Sequence, residues 1–170
     1  APRRGPLPLP ILSTAAHAVN NASFVSQRAP LAILADTTCI VTVTMKNTGT
    51  ETWTAADSYR LGTQNPQDNH TWIGWTSRAF LTAADTVAPG ETVSFTITCS
   101  TPDTPGLHNF QWRMVREGVE WFGDSTPNLV IPVYALGGTE TVNTLDYFVT
   151  DHLETGMTGT HAQSQTITGS

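Results

Sequence analysis

The sequence CIVTVTM at residues 39–45 determines the fold class, together with VSFTITC at residues 93–99. In both stretches every second side chain is apolar, which is the period of a β-strand with one face toward a core. Cys39 begins the apolar face of the first strand, and Cys99 ends that of the second. If these strands pair antiparallel, the two cysteines lie opposite each other, within reach of a disulfide that would stabilise the fold by about 4 kcal/mol. Two buried free thiols are the alternative.

Short alternating strands continue along most of the chain. They are residues 23–27, 32–34, 39–45, 59–63, 92–99, 108–115, 119–122 and 129–134. Turn signals rich in Gly, Pro and Asn separate them, among them Pro89-Gly90 and a tight hairpin turn at Glu117-Gly118. No stretch has the period of a long helix. The pattern predicts an all-β fold, an antiparallel β-sandwich of seven to eight strands.

The sandwich pattern occupies residues 23–135 and leaves an arm of different composition on each side. Residues 1–22 are rich in Pro and Ala and are predicted to form an extended N-terminal arm. Residues 136–170 are rich in Thr and Gly and form the predicted C-terminal arm, with one apolar cluster at residues 145–149. The composition therefore predicts one packed domain with two arms.

Composition also narrows the function classes. The chain has 170 residues, a formal net charge of −6 and only eight Lys and Arg residues, which argues against nucleic acid as a partner. No apolar run is long enough to span a membrane. The 39% hydrophobic and 13% charged fractions, with abundant Thr, Ser, Asn and Gln, favour a β-rich extracellular protein, either secreted or at the cell surface.

The sequence lacks the motifs of common enzyme classes, since there is no GxSxG, HExxH or phosphate-binding GxxxxGK(S/T). The five histidines are scattered, and two cysteines without CxxC spacing do not make a zinc site. Carboxylates near turns, such as Glu117 and Glu120, leave a glycosidase pair open, but acidic residues are common at turns because they form local hydrogen bonds. We predict no enzyme activity, no cofactor and no metal.

The chain has five tryptophans, and their sequence contexts differ. Trp112 alternates with Phe110 on an apolar strand face, which predicts that both are buried, and Phe95 lies on the apolar face of another strand. Trp72 and Trp75 instead belong to a polar segment with Asn, Gln and His, which makes them the best candidates for exposure. An exposed indole stacks on sugar rings or anchors a peptide.

The tryptophans occur within phrases that resemble one domain family. The matching residues are Asn47-Thr48-Gly49 before Trp53, Tyr59-Arg60-Leu61-Gly62 with Asn65-Pro66, Trp72, Val87-Ala88-Pro89-Gly90, Thr104-Pro105-Gly106, Phe110-Gln111-Trp112-Arg113-Met114, and Gly118 with Trp121-Phe122-Gly123. In this order they resemble the four-tryptophan, immunoglobulin-like domain of autophagy cargo receptors and of many secreted bacterial proteins. The resemblance extends from residue 47 to residue 133.

The resemblance implies an immunoglobulin-like β-sandwich without catalytic machinery. It assigns framework roles to Trp53, Trp72, Trp112 and Trp121, and leaves Trp75 as the tryptophan that contacts a ligand. In the eukaryotic receptors this domain binds protein partners, and in bacteria it is typically an accessory module of extracellular proteins. Neither arm belongs to the family pattern.

The sequence supports two functional hypotheses. The first is a non-catalytic structural subunit of an extracellular assembly, such as a filament, sheath or surface layer. Its copies would join through their terminal arms by strand addition, giving a homo-oligomer or polymer. A decoration or fibre protein of a virus particle follows the same physical logic, and the sequence does not separate the two. The alternative is an accessory carbohydrate- or protein-binding module of a secreted bacterial hydrolase. Candidate contact residues are Trp75, Arg78, Tyr147 and Phe148.

Overall fold

The computed structural model describes residues 18–135 in full and the backbone of residues 144–152 and 158–166. These ranges contain β-strands and no helix, which confirms the all-β prediction. The strands are β1 (Ala22–Pro30), β2 (Ile33–Leu34), β3 (Thr38–Asn47), β4 (Trp53–Thr54), β5 (Tyr59–Thr63), β6 (Arg78–Phe80), β7 (Thr86–Val87), β8 (Thr92–Ser100), β9 (Gly106–Phe110), β10 (Trp112–Arg116), β11 (Glu120–Ser125), β12 (Leu129–Tyr134), β13 (Thr144–His152) and β14 (Thr158–Thr166). Accordingly, the described ranges hold no helix of the length and hydrophobicity that crosses a membrane.

Two large antiparallel sheets enclose the core and form the predicted sandwich. The first has five strands in the order β14-β13-β1-β3-β8, and the second has four in the order β11-β10-β5-β6. Two small sheets, β2-β12-β9 and β4-β7, complete the described part. Side chains of both large sheets share one core, such as Val43 and Phe95 from the first and Leu61 and Met114 from the second.

The strand predicted at residues 108–115 is divided at Gln111 into β9 and β10. β9 pairs with β12, whereas β10 pairs with β5 and β11. At the break, the Gln111 side chain donates a hydrogen bond to the Thr126 carbonyl, and the Trp112 N–H donates to the Thr126 hydroxyl. These side-chain bonds satisfy backbone groups at the point where the chain changes partner strands.

Aromatic side chains fill much of the core. Trp53, Trp72 and Trp112 are fully buried, and Phe95 and Phe110 are buried as well. Phe110 contacts Trp72 and Trp112 edge-on, with ring centroids 5.7 and 5.6 Å apart. Such edge-to-face contacts contribute about 0.5–1.5 kcal/mol beyond the burial of apolar area.

Trp121 differs from the other three tryptophans with a predicted framework role. Alternation along β11 turns Phe122 into the core, so the neighbouring Trp121 lies on the outer face of its sheet, where it is half-buried. Any framework role of Trp121 is therefore on the outside of the sandwich.

The two cysteines are aligned as the alternation predicts, but they are not bonded. Cys39 on β3 is the register partner of Cys99 on β8, and both are buried free thiols. At the end of β3, Asn47 exchanges backbone hydrogen bonds with Gly90 and Glu91, just before β8. Because every second residue points the same way, Cys39 and Cys99 form a backbone-hydrogen-bonded pair of the ladder. In such pairs the side chains are farther apart than in non-hydrogen-bonded pairs, which is less favourable for the short Cβ–Cβ distance of a disulfide. The expected disulfide is not formed.

The two thiols interact through a hydrogen bond that shifts their pKa values in opposite directions. This bond, reinforced by burial, raises the pKa of the Cys99 thiol well above its ordinary value. The same bond lowers the pKa of the Cys39 thiol, although burial opposes that change.

The described part of the C-terminal arm is a hairpin that extends the five-stranded sheet. β13 pairs with β1, which aligns Tyr147 with Pro30 and Phe148 with Ala29. β14 pairs with β13 along its whole length. In the predicted N-terminal arm, residues 1–17 lie outside the described residues.

Candidate functional site

The outer face of the four-stranded sheet carries an unusual row of side chains. Register pairs across β6, β5, β10 and β11 align Phe80 with Arg60, Arg60 with Val115, and Val115 with Trp121. Their neighbours Leu61 and Phe122 are turned into the core. Strand alternation therefore places two aromatic rings, a guanidinium and a valine together on the outside.

Trp75 extends this row beyond β6. Its ring lies parallel to Phe80 within 5°, with centroids 6.2 Å apart, and the Arg60 guanidinium lies 4.8 Å from the Phe80 centroid. Trp75 is 78% exposed and Phe80 is 47% exposed. An offset-parallel pair of rings is a favourable arrangement, so the exposed indole has a defined position without being buried. We call Trp75, Phe80, Arg60, Arg78 and Trp121 the aromatic–arginine surface.

The loop before Trp75 places Trp72 and Trp75 in different environments, although the sequence context makes both candidates for exposure. Trp72 is buried and its indole N–H donates to the Asn109 carbonyl at 2.7 Å. Gly74 has a φ of 53°, a left-handed conformation that glycine tolerates best, and the chain turns outward there. His70 also bonds to the Gly74 carbonyl at 3.0 Å. Trp72 thus anchors the loop, and Trp75 faces solvent.

Arg78 holds the other end of the surface. Its guanidinium lies 4.8 Å from the Trp121 ring centroid and bonds to Glu117 at 2.6 Å and to Asp68. Burial alone would lower the pKa of Arg78, but the hydrogen bonds and charges of Glu117 and Asp68 outweigh it and raise the pKa. Arg60 also reaches Glu117 at 3.5 Å. Both guanidinium groups are therefore largely charge-compensated, but the Arg60 side chain is 34% exposed and that of Arg78 only 13%.

Gly62 allows Trp121 to lie flat on the sheet. A methyl group at this position would overlap the indole, with Cζ3 only 2.7 Å away, and would also approach an Arg78 nitrogen at 3.2 Å. Below Trp121, Val115 is buried although it lies outside the core cluster. The glycine is required here for close approach of a ring, while its backbone conformation is ordinary.

Gly62→Ala is expected to lower the free energy of unfolding by about 1 kcal/mol, since overpacking is relieved by rotation of the Trp121 ring. The displaced indole would lose its contact with Arg78 and change its fluorescence. Chemical denaturation followed by tryptophan emission measures both effects. Gly118→Ala is the matched control, because a methyl group at residue 118 meets no atom within 4 Å. This variant therefore measures only the cost of placing alanine at a backbone φ of 73°. An unchanged emission spectrum in Gly62→Ala would contradict the packing described.

The charged groups of the aromatic–arginine surface are paired with one another. Its carboxylates, Glu117 and Asp68, are engaged by arginines. Across the fully described part of the chain, no three His, Cys, Asp or Glu side chains are grouped to hold a metal ion. The most accessible groups of the surface are the Trp75 indole, the Phe80 ring and, in part, the Arg60 side chain.

The candidate contact residues predicted from the sequence lie in two different regions of the fold. Trp75 and Arg78 both belong to the aromatic–arginine surface. Tyr147 and Phe148 lie in β13 of the other large sheet, and their side chains are outside the described part. Sequence reasoning missed Phe80, because β6 has only three residues and shows too little alternation to be recognised.

The two packed sheets and their shared aromatic core define an immunoglobulin-like β-sandwich. A family model described as "Ig-like domain from next to BRCA1 gene" matches residues 31–131, which is more than half of the chain. The chain therefore belongs to this family of Ig-like domains, which are typically non-catalytic. No curated protein matches the sequence.

Proposed function

We propose that the chain is a non-catalytic protein-binding module and that the aromatic–arginine surface is its contact site. The observation that carries this proposal is the position of Trp75, which is 78% exposed yet stacked on Phe80. Tryptophan and arginine are enriched among the residues that dominate protein interfaces. Because Trp75 is held in place before binding, little side-chain entropy remains to be lost on association.

The charge of the surface favours an uncharged contact on the partner. Glu117 compensates both Arg60 and Arg78, and Asp68 adds a second carboxylate to Arg78. A partner would place an apolar or aromatic side chain over the Trp75 indole and backbone carbonyls near the guanidinium edges. Neither contact requires an acidic partner.

We further infer that the domain is of the four-tryptophan type and acts as an accessory module in an extracellular, secreted bacterial protein. Three of the matching tryptophans, Trp53, Trp72 and Trp112, are buried, and Trp121 is braced from outside by Arg78. The composition, low in charged residues and rich in Thr and Ser, supports an extracellular location.

Trp75→Ala is expected to weaken peptide binding by about 30-fold or more without changing the fold. Peptides would be selected on the native protein from a random display library, and their affinity measured by calorimetry. Loss of a central interface tryptophan weakens binding by about 2 kcal/mol or more, which is a factor of about 30. Leu107→Ala is the matched control, since Leu107 is 74% exposed on β9, outside the surface.

The outcomes separate the possible ligands. Equal losses in Trp75→Ala and Leu107→Ala, or no selectable peptide, would overturn the proposal. Binding on a glycan array that Trp75→Ala removes, in the absence of peptide binding, would replace the protein partner by a polysaccharide.

A second candidate function is the structural subunit of a polymer of identical chains. The observation that favours this function is the β8 edge of the five-stranded sheet, which is separate from the aromatic–arginine surface.

A further inference from the structure

β8 is an open edge of the five-stranded sheet. It extends over nine residues, Thr92–Ser100, and among the described strands it pairs with β3 alone. The pairing runs without a register shift from Thr38 opposite Ser100 to Lys46 opposite Thr92. A regular strand of this length can template another strand on its free side.

The backbone groups on the free side can be identified from two hydrogen bonds. The Ser100 N–H donates to the Trp72 carbonyl at 3.0 Å, away from β3. At the other end, the Asn47 N–H donates to the Glu91 carbonyl just before β8, so the Glu91 carbonyl and the backbone groups of every second residue after it face β3. Since alternate residues of a strand point the same way, the N–H and C=O groups of Ser94, Thr96 and Thr98 point outward. Within the described ranges, none of these outward groups has a hydrogen-bond partner.

Within the described ranges, β8 and β14 are the two long edges of the large sheets without a partner strand on the outer side, and the Trp72 carbonyl meets β8 only at its last residue, Ser100. β13 covers the edge of β1. Beside β11, a methyl group on Gly123 would lie 2.5 Å from backbone atoms of Ala22, so the start of β1 lies directly against that strand. β6 is an edge of only three residues. β8 contains no Pro, no Lys and no bulge, the usual devices that block strand addition.

We propose that the open edge of β8 accepts β14 of a second copy of this chain, which joins copies head to tail into a filament. β14 is the opposite edge of the same sheet and has the same length of nine residues. In the part of the chain that the structure describes, it pairs with β13 alone. Neither strand contains Lys, Arg, Asp or Glu, in a chain of net charge −6, so this contact avoids like-charge repulsion. A head-to-tail contact between two different edges does not close on itself unless the rotation closes a ring.

The test is the substitution Thr96→Pro, which removes the outward-pointing backbone N–H of residue 96. Proline is tolerated on edge strands when its missing N–H faces solvent, so Thr96→Pro should keep the monomer fold while raising the concentration needed for assembly by about tenfold or more. Thr96→Val retains the N–H and should assemble like the wild type. Sedimentation velocity and negative-stain electron microscopy of the full chain measure assembly, and thermal unfolding checks the fold. If Thr96→Pro unfolds, Thr96→Lys blocks the same edge with a charge and retains the N–H.

A mixing experiment distinguishes head-to-tail addition from pairing of two β8 edges. Labelled Thr96→Pro has a blocked acceptor but an intact β14, so it should bind wild-type ends and shorten filaments. A closed wild-type dimer that ignores the labelled variant would overturn the proposal in favour of β8–β8 pairing. A wild type that stays monomeric across the micromolar range, or a Thr96→Pro chain that assembles like the wild type, would overturn strand addition itself. The peptide-binding proposal is unaffected by either result, because Trp75 lies on the other large sheet's face.

Discussion

Trp112→Ala is expected to lower the free energy of unfolding by about 4 kcal/mol, the range found for removal of a large buried aromatic side chain. Trp112 is fully buried and packs edge-on against Phe110, which in turn contacts Trp72. Alanine leaves a cavity between the two sheets that the rigid strands cannot close. Urea denaturation followed by far-ultraviolet circular dichroism measures the loss, and an effect below about 1.5 kcal/mol would contradict this core position.

A pair of phenylalanine variants tests the packing more finely. The Trp112 indole N–H has no hydrogen-bond partner, whereas that of Trp72 donates to the Asn109 carbonyl at 2.7 Å. Trp112→Phe therefore removes ring volume and a buried donor that has no partner, while Trp72→Phe removes ring volume and leaves a carbonyl without its donor. We expect Trp72→Phe to be the more destabilising by about 1 kcal/mol. The reverse order would show that volume rather than hydrogen bonding decides.

Much of the sandwich follows from alternation in the sequence, and the differences have identifiable physical causes. The predicted strands at residues 59–63 and 129–134 coincide with β5 and β12. The predicted turn at Glu117-Gly118 is present, with a φ of 73° at the glycine. β4, β6 and β7 were missed because two or three residues are too few to show a period. The break at Gln111 was missed because it depends on bonds to Thr126, far along the chain.

The candidate site was only partly predictable. The polar context of Trp75 identifies an exposed indole, but its stacking on Phe80 depends on how the loop packs. Alternation also gives the alignment of Cys39 with Cys99, yet it does not say whether the pair is hydrogen-bonded. That property, set by the bonds of Asn47 at the end of β3, decides the separation of the two thiols.

Asn47 is also the most important buried polar residue, and Asn47→Ala is expected to lower the free energy of unfolding by about 3 kcal/mol. Its side-chain amide donates to the carbonyls of Glu51 and Val87 at 2.7 and 2.9 Å and accepts from the Gly49 N–H at 3.0 Å. The residue is 0% exposed, so water cannot replace these bonds. Each buried group left without a partner costs about 1–3 kcal/mol.

Asn69→Ala is the matched control, because Asn69 makes the same number of side-chain bonds in a more exposed loop. It donates to the carbonyls of Gln64 and Pro66 at 3.0 and 2.6 Å and accepts from the Thr71 N–H at 3.1 Å. Solvent reaches these groups after the substitution, so the expected loss is about 1 kcal/mol. Parallel urea titrations of both variants give the comparison. Equal losses would mean that the number of hydrogen bonds, and not burial, sets the stability of this sandwich.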